Sequence, residues 1–144
     1  MFMGEFHHSL DEKGRIIIPA KFRNELGSSF IITRGMDGCL FGYSLNNWDV
    51  LVKKLSTLSL TKKSSRLFSR FFYSGASEVQ LDRNGRVNLP VNLISFAKLK
   101  KDCVILGVNS RIEIWDAASY QEMDTEMADN ISDISENLMD IDFD

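Results

Sequence analysis

Asp11-Glu-Lys-Gly-Arg-Ile-Ile-Ile-Pro19 returns as Asp82-Arg-Asn-Gly-Arg-Val-Asn-Leu-Pro90, an offset of 71 residues between positions 11 and 82. The aspartate, the glycine, the arginine, a β-branched residue and the proline recur in the same order. The likeness continues downstream. Ala20–Leu26 pairs with Val91–Ala97, Phe30–Gly35 with Cys103–Gly107, and Cys39–Tyr43 with Arg111–Trp115, while Trp48 falls opposite Tyr120. Self-similarity across this many segments reads as an ancestral duplication, and it sets the fold before any single residue is weighed.

Each copy has the same coarse layout. Glu5–Leu10 alternates like a half-buried strand, Lys13-Gly14 supplies a turn, and Arg15–Ile18 returns as a β-branched strand. In the second copy Glu78–Leu81 leads into Asn84-Gly85, a short-range hairpin signal. Gly14 and Gly85 are the turn residues able to take a positive φ without a Cβ clash. Pro19 and Pro90 end the second strand and suit the start of a helix. The spacing predicts short helices over 20–26 and 91–99, and strands over 30–34, 39–43, 103–108 and 111–115. Between the copies, 47–55 and 61–73 read as helices, the latter burying Leu67, Phe68, Phe71 and Phe72. The fold class is α+β and β-rich, with repeats at 5–47 and 76–119. A helical linker is expected at 48–75 and an acidic amphipathic helix at 120–144. In that last segment Tyr120, Met123, Met127, Ile131, Ile134 and Leu138 form one apolar stripe, expected to dock on its own domain or on a neighbouring subunit.

Charge is distributed unevenly along the 144 residues. Residues 1–115 hold all 17 basic residues and 10 of the acidic ones, a net of +7; residues 116–144 hold 10 acidic residues and no basic one. A basic body suits either a polyanion or an ordinary solvated surface. No stretch approaches the roughly 18 apolar residues of a membrane span. The opening Met1-Phe-Met-Gly-Glu-Phe lacks a basic and an apolar region, so a secretory signal is not expected. The two cysteines, Cys39 and Cys103, make neither a disulfide framework nor a zinc quartet. A cytoplasmic, reduced protein is the expectation.

Catalytic signatures are missing from the sequence. There is no phosphate loop of the G-x-x-x-x-G-K-[ST] type, no G-x-G-x-x-G after a strand and no G-x-S-x-G elbow. His7 and His8 are adjacent on a strand and point to opposite faces, so they cannot grip one metal together. No enzyme activity, cofactor or metal site is therefore expected. The informative constellation is Asp-x-x-Gly-Arg, found twice. An arginine follows each turn, with a cation inside it: Lys13 before Arg15, and Arg83 before Arg86. A two-stranded ribbon fits the DNA major groove, where arginine bonds guanine edges and lysine neutralises phosphate. Equally, Asp11 and Asp82 cap the turns and pair with Arg15 and Arg86, which fixes the hairpin and does nothing more. Both roles are compatible. Lys21, Arg23, Lys62, Lys63, Arg66 and Arg70 widen the basic surface. With no aromatic stacking platform, duplex DNA is favoured over single strands. A protein-interaction or RNA-binding accessory module using the same basic face stays open as the alternative.

These segments resemble the MraZ family of bacterial transcriptional regulators, within the AbrB/SpoVT-like superfamily. The likeness rests on Met1–Phe6, Asp11–Arg23, Thr33–Tyr43, Arg70–Ala76, Leu81–Arg86 and Gly107–Trp115, in order and with the family's spacing. The resemblance implies two swapped-hairpin β units of the double-split barrel type, related by pseudo-twofold symmetry. It also implies a cyclic homo-oligomer and binding to direct repeats in the promoter of the protein's own division and cell-wall gene cluster, in the nucleoid. Repression is the commoner outcome and activation also occurs. The family's motif arginines fall on Arg15 and Arg86, and its motif aspartates on Asp11 and Asp82. The acidic tail is similar to that of Gram-positive members.

Overall fold

The structure, a computed structural model, describes residues 1–138. Among these described residues, eight strands and five helices follow in the order β1 (Phe2–Ser9), β2 (Arg15–Ile17), α1 (Ala20–Leu26), β3 (Ser29–Arg34), β4 (Leu40–Ser44), α2 (Leu45–Leu55), α3 (Lys63–Ser74), β5 (Ser77–Gln80), β6 (Arg86–Asn88), α4 (Val91–Phe96), β7 (Asp102–Asn109), β8 (Arg111–Asp116) and α5 (Ala117–Glu136). Six strands form one antiparallel sheet in the order β1-β7-β8-β4-β3-β5, and β2 pairs with β6 in a separate ribbon. Exchanging the two copies maps the sheet order onto itself, as a duplicated chain with a pseudo-twofold axis requires.

The strand pairing corrects the local hairpin read from Lys13-Gly14 and Asn84-Gly85. The first strand of each copy does not fold back along the second; only the bridge Leu10–Ile16 joins β1 to β2. Instead β1 lies on β7 of the second copy, β5 lies on β3 of the first, and β2 pairs with β6. The turns do reverse the chain, with Asp11 N–H bonded to the Arg15 carbonyl and Asp82 N–H to the Arg86 carbonyl, but the apolar residues beyond them decide the partner strand. Ile16 and Val87 are buried against both halves, with 0% and 1% exposure, and only cross-pairing puts them in one core. β1 also starts earlier than the alternation over 5–10 indicates, because β7 is long enough to pair with it from Phe2 opposite Asn109.

Side-chain alternation splits the large sheet into two faces. One face carries Phe30, Ile32, Leu40, Ile105, Ile112 and Ile114 beneath the ribbon and helices α1 and α4. Phe22 and Leu26 of α1 and Leu93 of α4 are the helical anchors of this core. Pro19 and Pro90 occupy the N-cap positions, as their fixed φ suits. The fourth helix ends at Phe96, short of the expected Leu99, because Lys98 turns left-handed and Leu99 N–H bonds back to the Ile94 carbonyl. The opposite face carries Phe41, Tyr43, Val104 and Trp115 under α2, α3 and the start of α5. There Phe72 is buried and stacks on Trp48 and Phe68. Phe68 and Phe71 are half-buried, Phe71 beneath the Arg34 guanidinium of β3, but Leu67 is exposed, on the side of α3 turned away from these contacts.

The second-copy likeness extends to helix caps. Ser44 accepts from Asn47 N–H at the start of α2, and Asp116 accepts from Ser119 N–H at the start of α5. Burial works to raise the pKa of Asp116, but the N–H groups of Ser119 and Lys100 and the Lys100 ammonium outweigh it and hold the carboxyl below its ordinary range. The apolar stripe of α5 docks only in part. Tyr120 is buried, edge-on to Trp115 with its hydroxyl donating to Glu5 Oε1 at 2.8 Å, and Met123 is half-buried. Met127, Ile131, Ile134 and Leu138 are exposed, because the helix runs past the sheet it started on. Among the described residues no helix is long and apolar enough to cross a membrane.

Candidate nucleic-acid interface

The two turns are built alike from the backbone up. At the first, Asp11 Oδ1 accepts from Lys13 N–H at 2.9 Å and Arg15 N–H at 2.8 Å, while Oδ2 accepts from Arg15 Nε at 2.7 Å. At the second, Asp82 Oδ1 accepts from Asn84 N–H at 2.8 Å and Arg86 N–H at 2.9 Å, and Oδ2 accepts from Arg86 Nε at 2.9 Å. The N–H groups of Gly14 and Gly85 close each turn onto the carbonyl of its aspartate. Both glycines have φ near +75 to +78°, where an L side chain is strained. The backbone N–H of each arginine, foremost, keeps its aspartate below the ordinary carboxylate range.

This geometry is the turn-fixing arrangement read from the sequence, and it leaves each arginine part-exposed. Each aspartate orders its turn and at the same time clamps the arginine through Nε, which leaves the terminal guanidinium nitrogens pointing onward. Arg15 and Arg86 keep 30% and 28% of their side-chain surface exposed. Lys13 and Arg83 are exposed at the turn tips, and Lys21 is exposed on the first turn of α1.

In the ribbon Arg15 lies opposite Asn88, Ile16 opposite Val87, and Ile17 opposite Arg86. The pairing continues at each end, where Ile18 N–H bonds the Gly85 carbonyl and Leu89 N–H bonds the Gly14 carbonyl. Period-two alternation then sorts the side chains. Ile16, Ile18, Val87 and Leu89 face the core, and Arg15, Ile17, Arg86 and Asn88 face outward. The two arginines stand two residue steps apart, roughly 7 Å along the ribbon. The outer face thus presents two arginines, an amide and an exposed isoleucine, and the hydrogen-bonding groups are of the types that pair with base edges, asparagine with adenine and arginine with guanine. Asn88 was missing from the sequence reading, although the alternation in Arg86-Val87-Asn88 carries the signal for it.

Arg23 is placed differently from the other cations. Its Nε donates to the Ile18 carbonyl at 2.8 Å, and its guanidinium lies over Gly85, in the space a Cβ there would take. It thus belongs spatially to the turn of the second copy. His8 is half-buried nearby, and burial, Arg23 and His7 all push its pKa down. His7 is on the other face, 2.9 Å from Glu5. Lys62, Lys63, Arg66 and Arg70 are on or beside α3, across the sheet from the ribbon, and so do not extend this surface. Cys39 and Cys103 are buried, and burial raises both thiols, that of Cys103 to about 11. Among the described residues no group of His, Cys, Asp and Glu could hold a metal ion.

Comparison with known proteins gives a consistent answer. The family model for MraZ protein matches this chain twice, over residues 1–71 and 72–142. Three relatives, each named transcriptional regulator MraZ, match almost end to end. That of Lactiplantibacillus plantarum is 56% identical over 97% of this chain and 99% of its own length. That of Limosilactobacillus reuteri is 54% identical over 99% and 100%. That of Ligilactobacillus salivarius is 52% identical over 99% of each.

Proposed function

This chain belongs to the MraZ family, and we propose that it is a sequence-specific, duplex-DNA-binding transcriptional regulator rather than a catalyst. Its targets are direct repeats in the promoter of its own division and cell-wall gene cluster, in the cytoplasm at the nucleoid. The observation that carries the reading is the outer face of the β2–β6 ribbon, where two aspartate-clamped arginines project from tight turns. Arg15 and Arg86 read bases, Lys13, Arg83, Lys21 and Arg23 meet phosphates, and Asp11, Asp82, Gly14 and Gly85 hold the turns. Residues 5–47 and 76–119 act as the two DNA-facing repeats, 48–75 connect them, and 120–144 form an acidic element kept off the DNA. A cyclic homo-oligomer places ribbons side by side, which suits direct repeats better than a twofold dimer does.

Gel shifts on the fragment immediately upstream of the coding region, against a scrambled fragment, test this reading. Arg15→Ala and Arg86→Ala should each weaken specific binding by about 1–3 kcal/mol, and affinity should fall steeply with salt. Equal affinity of the unaltered protein for both fragments would refute it. A preference for folded RNA would favour the accessory-module alternative, and light scattering that gives a DNA-binding monomer would remove the ring.

A further inference from the structure

The pseudo-twofold axis relates Arg23 of α1 to Ile94 of α4, both 71 residues apart like the turns beneath them. Their surroundings match. Ile94 Cδ1 lies 3.2 Å from the Cβ position of Gly14, as the Arg23 guanidinium lies over Gly85. Each helix therefore covers the turn glycine of the other copy, but one does so with a cation and the other with an aliphatic side chain. The turns themselves add to the inequality. Residues 11–15 hold two acidic and two basic groups, a formal charge of zero, whereas residues 82–86 hold one acidic and two basic groups, a charge of +1. With Arg23 counted at its spatial position, the second turn carries +2. On α1 and α4, Lys21 likewise corresponds to the uncharged Asn92.

We propose that the symmetry is broken where the ribbon meets DNA: the 82–86 turn, joined by Arg23, is the dominant phosphate contact of each chain, and the 11–15 turn is the weaker one. Each chain then lies on duplex DNA with a fixed polarity. This rests on the DNA-binding reading above and deepens it. The arrangement has the features of a phosphate contact. The Ile18 carbonyl holds Arg23 through Nε, so the guanidinium is fixed without being neutralised, and no carboxylate pairs with it among the described residues. A pre-positioned guanidinium loses little side-chain freedom on meeting a phosphate. Gly85 makes room for it, since any side chain there would occupy the same space. Polarity also has a use. A symmetric ribbon fits a site in either direction, but a direct repeat has a direction, and a chain with unequal ends reads it in one.

Phosphate-ethylation interference on the full chain, with the duplex from just upstream of the coding region, needs no variant. Interference should concentrate at one end of each bound element. Equal interference at both ends overturns the polarity while leaving DNA binding intact. Variants assign the cause. Arg23→Ile should weaken binding about three- to tenfold near 0.1 M salt and lower the salt slope by about one, as loss of a single phosphate contact does. Arg23→Lys should retain the slope. The exchange of both residues, Arg23→Ile with Ile94→Arg, should move the interference to the opposite end. An Arg23→Ile protein with unchanged melting temperature and unchanged slope overturns the proposal. Binding of the unaltered protein that does not distinguish this duplex from a scrambled one overturns the DNA reading and the polarity with it.

Discussion

Truncating the acidic helix at two points should separate a structural anchor from an appendage. The first cut, after Asp124, removes Met127, Ile131, Ile134 and Leu138, all between 39% and 51% exposed. Surface changes of this kind cost within about 0.5 kcal/mol each, and usually less. The second cut, after Asp116, also removes Tyr120 and Met123. Burying a large apolar side chain is worth about 1.5–3 kcal/mol. The edge-on pair with Trp115 adds about 0.5–1.5 kcal/mol, and the hydroxyl bond to Glu5 about 0.5–1.5 kcal/mol. Trp115, now 4% exposed, would lose its cover. Together these give roughly 3–6 kcal/mol, or a fall of about 10–25 °C in melting temperature for a domain of this size, against less than about 8 °C for the first cut. Melting followed by far-ultraviolet circular dichroism, at fixed protein concentration, reads both. Equal losses for the two cuts would mean that the distal stripe carries the anchoring and Tyr120 adds nothing, and no loss for either would mean that the helix anchors nothing. Tyr120→Phe isolates the hydroxyl and should show the smallest share.

Acid should loosen the turns. Because Asp11 and Asp82 have carboxyls held below their ordinary range, their contribution is complete above the usual aspartate value of about 3.9 and is lost as pH falls through the lower folded values. The double variant Asp11→Asn, Asp82→Asn should thus show a shallower loss of melting temperature below about pH 4 than the unaltered chain; an identical acid limb would show that the turns are not what titrates. Cys39 and Cys103 are buried and their thiols resist ionisation, so a thiol reagent at neutral pH should label neither until denaturant is added. Rapid stoichiometric labelling of the native protein would contradict the burial.

The residues that spoke most plainly in the sequence were those whose role is local. Asp82, Gly85 and Arg86 sit within one turn, and their hydrogen bonds follow from spacing alone. Strand and helix positions were legible for the same reason, since alternation and the prolines act over a few residues. What was not legible depended on the partner strand. Nothing near Ile17 says that it stands opposite Arg86, and although alternation over 86–88 turns Asn88 to the same face as Arg86, only the register shows that it stands opposite Arg15. Leu67 shows the converse limit: it fits the apolar spacing of α3, but the side toward Thr33, whose hydroxyl donates to the Phe72 carbonyl, was already filled. The outward run of α5 past Met123 was hidden because an amphipathic stripe records what a helix can cover, not how far its support extends.

The crossed pairing has a consequence for timing during synthesis. A ribosome that has released Asp11–Ile17 has made half of a reading surface, but β2 has nothing to pair with until Arg86–Asn88 emerges, about seventy residues later. Likewise β1 must wait for Asp102–Asn109. Neither half of the chain can be competent ahead of the other, so a prematurely terminated or nicked fragment holds one motif arginine without the strand that would display it. For a protein whose proposed target is its own promoter, this makes completion of translation a condition for feedback: only finished chains count toward the signal.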